Sequence, residues 1–228
     1  MQQGSKLYQM VIKENKLLSF FLYFFYRFPF NNKLKAKGKN NHIKAKLSFI
    51  KKNRIIIIGG NNTVVIEKGC RLYNCSFIIH GNHNLIRISE FTYANHAEFY
   101  IEDDNNEIIV DRHTCFAGKI HLACTEGKKI KIGEDCLFSS DIVVRTGDSH
   151  SIIDEVGHRV NFGKNIEIGK HVWVGYHVLI NKGVSLMDNC IVGTGAVLTK
   201  QYSENNVCIA GNPARIVKQK VNWLHERI

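Results

Sequence analysis

Between Ile168 and Thr199 aliphatic residues recur every six positions, at Ile168, Val174, Ile180, Leu186, Val192 and Leu198. Four places after each of the first five stands a small or β-branched residue: Val172, Val178, Val184, Cys190 and Ala196. An amphipathic helix needs a 3.6-residue period and a half-buried strand needs strict alternation, so a period of six serves neither as a long element. It fits short strands that turn a corner every six residues, with the aliphatic places stacked inward. Glycine holds three of the second places (Gly169, Gly175, Gly193), which reads as corners that need a positive φ.

A longer period precedes this run. Ile66, Ile88, Val110 and Ile132 stand 22 residues apart, with Val64, Ile86, Ile108 and Ile130 two places before them and Cys70, Thr92, Thr114 and Cys136 four places after. Six and twelve places on come Leu72 and Ile78, Ala94 and Tyr100, Phe116 and Leu122, Phe138 and Val144, all expected inward. Each unit is three six-residue steps plus four extra residues. The extras coincide with turn-forming stretches at Gly59-Gly-Asn-Asn, Gly81-Asn-His-Asn, Asp103-Asp-Asn-Asn and Thr125-Glu-Gly-Lys. From Ile168 the extras vanish and the period becomes 18 residues. The pattern predicts one all-β solenoid, a three-sided parallel β-helix over residues 50–214.

The regularity fails once. After Val144 the chain leaves the pattern and rejoins it at Phe162, which predicts a protruding loop at about 148–161. Solenoids tolerate insertions at corners and often carry function there. At the N-terminus the apolar run Leu17–Tyr26 is too short to span a bilayer, which takes about 20 apolar residues, and no small-x-small cleavage site follows it. Residues 1–49 read as an aromatic-rich helical segment and a basic linker. Lys33, Lys35, Lys37 and Lys39 make residues 17–39 a candidate contact with a membrane surface or a partner. Residues 215–228, apolar at Ile216, Val217, Val221 and Leu224, read as a short C-terminal amphipathic helix.

Composition adds three points. With 228 residues and 44% hydrophobic content the chain can bury one sizeable core or one long solenoid. A formal charge of +11 favours an anionic partner without choosing among a phosphorylated cofactor, an acidic glycan, a membrane and nucleic acid. No aromatic-plus-basic motif of a nucleic-acid module accompanies it, so nucleic acid is not expected. The seven cysteines include no CxxC pair, and Cys70, Cys136 and Cys190 fall on inward places, as expected of reduced core thiols in a cytoplasmic protein.

The ordered set Ile168-Gly-x-x-Val-Trp-Val-Gly, Val192-Gly-x-Gly, Thr199-Lys200 and Ala210-Gly-Asn-Pro-Ala-Arg215, with a His-bearing loop before it, resembles the hexapeptide-repeat acyltransferases. The resemblance covers residues 130–218. It is nearest to the O-acetyltransferases that modify bacterial capsule, lipopolysaccharide or sialic acid sugars. It implies a left-handed β-helix, a homotrimer with active sites in the grooves between subunits, acetyl-CoA as donor, a carbohydrate acceptor and no metal.

Acetyl transfer to a hydroxyl needs a general base, and histidine is suited to the role near neutral pH. Among 11 histidines, His150 opens the loop 23 residues before Trp173, a placement similar to that of the family's catalytic histidine. His158 shares the loop. His80, His83, His96, His113 and His121 read as surface or corner residues, since no HxH or HxxxH spacing occurs. Asp148 is the nearest acid to orient the imidazole, with Asp154 and Glu155 as alternatives. By resemblance, Trp173 lies beside the reacting centre and a backbone amide near Gly175–Tyr176 receives the oxyanion. By resemblance too, Tyr176, Gly195, Thr199 and Lys200 line the CoA arm, while Arg215 and Lys218 reach its phosphates. Competing expectations are N-acetylation of a nucleotide-linked amino sugar, acetylation of an antibiotic, or a non-catalytic scaffold.

Overall fold

The inward places close into three parallel sheets in a computed structural model that describes residues 31–226 and 228. Face A holds eight strands, from Lys33–Lys37 to Val197–Leu198. Face B holds eight, from His42–Ala45 to Gln201–Tyr202. Face C holds nine, from Phe49–Lys51 through Val207–Gly211, with Ala214–Gln219 added antiparallel at its edge. Every other pairing is parallel, and each coil visits A, B and C in turn, so the core is a column enclosed by the three faces.

The column follows the six-residue register. Ile168, Val174, Ile180, Leu186, Val192 and Leu198 are all buried, as are the paired places Val172, Val178, Val184, Cys190 and Ala196. In the 22-residue coils Val64, Ile66, Leu72, Ile86, Ile88, Ala94, Ile108 and Val110 are fully or almost fully buried. Phe77 and Phe99 stack at 4.8 Å between centroids, and Phe116 and Phe138 meet tilted by 56° at 5.0 Å, which fills the centre of the upper coils. Burial of each such side chain contributes about 1.5–3 kcal/mol.

The four extra residues of each long coil lie at the A-to-B corner, where they support a ladder of buried asparagines. The Asn41 Oδ1 accepts from the Asn62 backbone N–H (3.0 Å), Asn62 from Asn84 (3.0 Å), Asn84 from Asn106 (2.7 Å), and Asn106 from Lys128 (2.9 Å). A buried amide without a partner would cost about 1–3 kcal/mol. Among the described residues every buried side-chain nitrogen and oxygen has one.

Three expectations are corrected. The β-helix begins well before residue 50: Lys33–Lys37, His42–Ala45 and Phe49–Lys51 form its first coil, so the basic stretch is structure rather than linker. Residues 1–30, including the apolar run, lie outside the described residues. The C-terminal segment is not a helix; Ala214–Gln219 turns back and pairs with Val207–Gly211, and no helix occurs among the described residues. Ile78 and Tyr100 face outward, and Phe77 and Phe99 take the core. The cause is a C-to-A corner one residue shorter: five positions run from Ala94 to Phe99 and six from Phe116 to Leu122, although Ala94 pairs with Phe116 and Phe99 with Leu122. Such a slip turns every side chain of a strand over.

The glycine reasoning is corrected as well. The positive φ falls on the fourth place of each six-residue step, at His171 (51°), His177 (58°), Gly183 (80°), Asn189 (59°) and Gly195 (72°). Second-place glycines answer to close approach instead. A Cβ on Gly169 would stand 2.5 Å from Asp188 Oδ1, and one on Gly175 2.8 Å from the Val192 carbonyl oxygen of the next coil.

Candidate active site

The one long break in the coils leaves face A after Ile142–Arg145 and returns to face B at Ile166–Ile168, so it springs from the A-to-B corner. Its base is fixed by polar contacts to the coils on either side. Glu126, on the preceding corner, accepts from the Arg159 guanidinium and from the Gly163 amide (2.9 Å). Lys182, on the following coil, donates to Asp148 Oδ2 and to the Asn161 carbonyl oxygen (2.8 Å). Asn161 is the knot between the two legs. Its Nδ2 donates to Asp148 Oδ2 and to the His150 carbonyl oxygen, each at 2.8 Å, while its Oδ1 accepts from the Ile152 amide (2.8 Å) and Arg159 Nε (3.2 Å).

These contacts leave both carboxyls well below their ordinary range. For Asp148 the largest cause is the hydrogen bond from Lys182, reinforced by Asn161; for Glu126 it is the hydrogen bond from Arg159. Hydrogen bonds to the charged form favour ionisation.

His150 sits where the loop opens, exposed. Its backbone is fastened by Asn161, but among the described residues its imidazole has no hydrogen-bond partner in its own chain. Asp148, expected to orient the ring, is occupied by Lys182 and Asn161 instead. Asp154 is also spent. Its Oδ1 accepts from the amides of Val156 (3.0 Å) and His158 (2.8 Å), which closes the turn at the loop tip and keeps exposed His158 away from the loop base. Beyond the base the loop presents Ile152, Ile153, Val156, Val160 and Phe162, each more than half exposed.

The remaining candidates divide between other parts of the solenoid. Trp173 begins Trp173–Val174 on face C with its side chain outward and 40% exposed, 6.2 Å from Trp223 between ring centroids. Tyr176 and Gly195 stack on the C-to-A edge, with the Gly195 amide donating to the Tyr176 carbonyl oxygen at 2.9 Å. The Gly175 amide donates to the Val192 carbonyl oxygen (2.8 Å), so it is committed to the sheet. Thr199 and Lys200 are exposed on the A-to-B edge, one coil below Lys182. Arg215 and Lys218 are exposed on the final strand, paired with Ala210 and Cys208.

Within one chain, therefore, His150 stands on the A-to-B edge, while Trp173 and Tyr176 stand across face A, on face C and at the C-to-A edge. The sequence reading missed Asn161, Lys182 and Glu126. Glu126 lies 37 residues from Gly163 and Lys182 lies 34 from Asp148, contacts that only the coil register makes, while Asn161 reaches back 11 residues across the loop to His150.

Comparison with known proteins agrees with this architecture. Residues 165–200 match the family model for the hexapeptide repeat of succinyl-transferase. A polysialic acid O-acetyltransferase of Neisseria meningitidis is 35% identical over 189 residues, spanning 82% of this chain and 87% of that protein. Among solved structures, the polySia-specific acetyltransferase NeuO superposes with a TM-score of 0.79 at 28% identity, over 86% of this chain and 90% of that one. The polysialic acid O-acetyltransferase OatWY superposes with a TM-score of 0.78 at 31% identity, over 84% and 92%. With its coils, its corner loop and these relatives, the chain belongs to the hexapeptide-repeat acyltransferases that fold as a left-handed parallel β-helix.

Proposed function

We propose that this protein transfers the acetyl group of acetyl-CoA to a hydroxyl of an acidic bacterial surface polysaccharide, a polymer of sialic acid above all, on the cytoplasmic side. The observation that carries the reading is the division of the site: a fastened loop bears an unpartnered His150 on one edge, and the exposed ring of Trp173 lies across the solenoid. In a trimer the apolar loop tip packs against a neighbouring copy and brings His150 to that copy's Trp173 and Tyr176. The relative from Neisseria and the two superposed structures, all named for polysialic acid, supply the acceptor class. The charge of +11 suits a polyanionic acceptor.

In this groove the neutral His150 imidazole takes the proton of the acceptor hydroxyl as its oxygen attacks the thioester carbonyl. The carbon–sulfur bond then breaks, the sugar ester forms, and the imidazolium returns the proton to the CoA sulfur. No acyl-enzyme is involved. Since the Gly175 N–H is bound within the sheet, the Tyr176 N–H is left for the developing oxyanion, a term worth about 3–4 kcal/mol in related chemistry. Gly195 at φ 72° keeps the C-to-A edge free of a side chain along the pantetheine arm, while Thr199 and Lys200 reach it from the A-to-B edge of the copy that supplies His150. Arg215 and Lys218 meet the CoA phosphates, where a guanidinium offers paired donors.

Purified protein incubated with acetyl-CoA and oligosialic acid tests this. Thiol release together with a mild-base-labile acetyl group on the glycan is the expected result, and His150→Ala should lower the rate about 100- to 10,000-fold. Acetylation of amines only, or an unaltered rate in His150→Ala, would sink the reading.

A further inference from the structure

At the B-to-C corner, next to Trp173, the chain's C-terminal tail folds back over residues 135 and 171. The Trp223 indole is buried and stacks on the His171 imidazole at 4.2 Å and 9°, and its Nε1 donates to the His171 carbonyl oxygen at 2.9 Å. On the other side of the ring, His171 Nε2 lies 3.1 Å from the Trp223 carbonyl oxygen. A carbonyl only accepts, so Nε2 carries a proton. Nδ1 faces the Asp135 carboxylate, 2.7 Å from Oδ2, so either a proton or a metal ion must lie between the two. The other carboxylate oxygen, Oδ1, lies 3.1 Å from His225 Nε2. Three potential ligand atoms, one from each residue, thus converge within 4.8 Å of one another.

The neighbouring cations are already engaged. Lys170 Nζ lies 3.2 Å from Glu134 and Arg112 Nε 2.8 Å from the same residue, which leaves Asp135 to the two histidines. We propose that Asp135, His171 and His225 form a binding site for a zinc-class divalent cation that fastens the C-terminal tail to the β-helix. Two imidazole nitrogens and one carboxylate oxygen, with water in the fourth position, are a usual donor set for zinc. The Nε2–H to carbonyl contact of His171 is the outer hydrogen bond that fixes the tautomer of a metal-bound histidine. One divalent ion takes the place of the extra proton that the contact between His171 Nδ1 and Asp135 would otherwise require. Donors around zinc stand roughly 3.3 Å apart at bond lengths of about 2.0–2.1 Å, so the Asp135 carboxylate draws back by roughly half an ångström when the ion enters. His225, on the exposed end of the tail, has the freedom to follow.

The site is invisible to sequence spacing, because 36 residues separate Asp135 from His171 and 90 separate it from His225. The full-length protein, stripped with chelator and dialysed against zinc chloride, tests it by metal analysis and thermal denaturation. One zinc ion per chain and a zinc-dependent rise in Tm are expected for the wild type, with both lost in His225→Ala and Asp135→Asn. His225→Ala removes only an exposed side chain, so the variant keeps its β-sheet circular dichroism and the comparison stays readable. Cobalt substitution should give the visible bands of a tetrahedral site in the wild type alone. Absence of stoichiometric zinc in the wild type, or zinc retained by both variants, would overturn the proposal. A tail contact that responds to pH and not to zinc would assign the same triad to protons and overturn it equally.

Discussion

Asn161 Nδ2 lies 2.8 Å from Asp148 Oδ2 and 2.8 Å from the carbonyl oxygen of His150, so one buried amide ties together the two residues that open the protruding loop. Its effect on His150 passes through the backbone, which makes it a positioning residue. Asn161→Ala should lower kcat about 10- to 100-fold, the range expected when a reacting group is displaced by about an ångström. The KM for acetyl-CoA should stay near its wild-type value, and amide exchange across residues 147–165 should rise. Unchanged kinetics alongside faster exchange would separate loop order from catalysis and remove Asn161 from the proposed machinery.

The same loop should loosen in acid. Asp148 and Glu126 have depressed carboxyl pKa values in the folded protein, so the fastened state binds fewer protons than the open one. Their stabilisation is fully present above the ordinary carboxylate range and is lost as pH falls through the depressed values. Amide exchange of the loop, corrected for its intrinsic pH dependence, should be flat near neutrality and rise in acid. Lys182→Met should show the raised exchange already at neutral pH.

If His150 and Trp173 meet across a subunit boundary, inactive variants should rescue each other. Unfolding and reassembling equal amounts of His150→Ala and Trp173→Ala chains should restore about a quarter of wild-type activity, since a random boundary has that chance of drawing an intact residue from each side. A site contained in one chain would give no recovery above the separate variants.

The two kinds of glycine should respond differently to the same side chain. Asn189 already holds φ 59° at the fourth place of its step, so Gly195→Asn, at φ 72° with open space beside it, should leave Tm nearly unchanged. A Cβ on Gly175 would stand 2.8 Å from the Val192 carbonyl oxygen and 2.9 Å from the Thr194 nitrogen. Gly175→Asn should cost about 1–3 kcal/mol, or several degrees of Tm, by forcing two coils apart. Thermal denaturation of the two variants decides it.

The core was legible because its register is set by a repeated spacing, and residues from Val64 to Leu198 follow it with a single change of parity. What escaped was local geometry that the spacing does not encode. Lys33, Lys35 and Lys37 alternate with the exposed Leu34 and Ala36 on the outermost coil, so the first strand carries almost no hydrophobic signal. Ile216, Val217, Val221 and Leu224 mimic helical spacing, yet the backbone pairing with Val207–Gly211 decides the conformation. His150 and Trp173 stood out by resemblance. Asn161, Lys182 and Glu126 did not, because an ordinary polar residue acquires its role only once stacked coils place it under the loop.

The strand Ala214–Gln219 has a bearing on assembly in bulk solution. A β-helix that ended on a bare parallel edge would offer each face as a template for another molecule, the route to end-to-end polymerisation. On face C that route is closed by the chain itself, since the last pairing runs antiparallel and turns the exposed edge to Arg215, Lys218 and their neighbours. The Tyr202 hydroxyl, donating to the Ala214 carbonyl oxygen at 2.9 Å, ties the adjoining face B to the same turn. Longitudinal growth into filaments is thereby opposed along face C, while side-by-side association of the coils stays open.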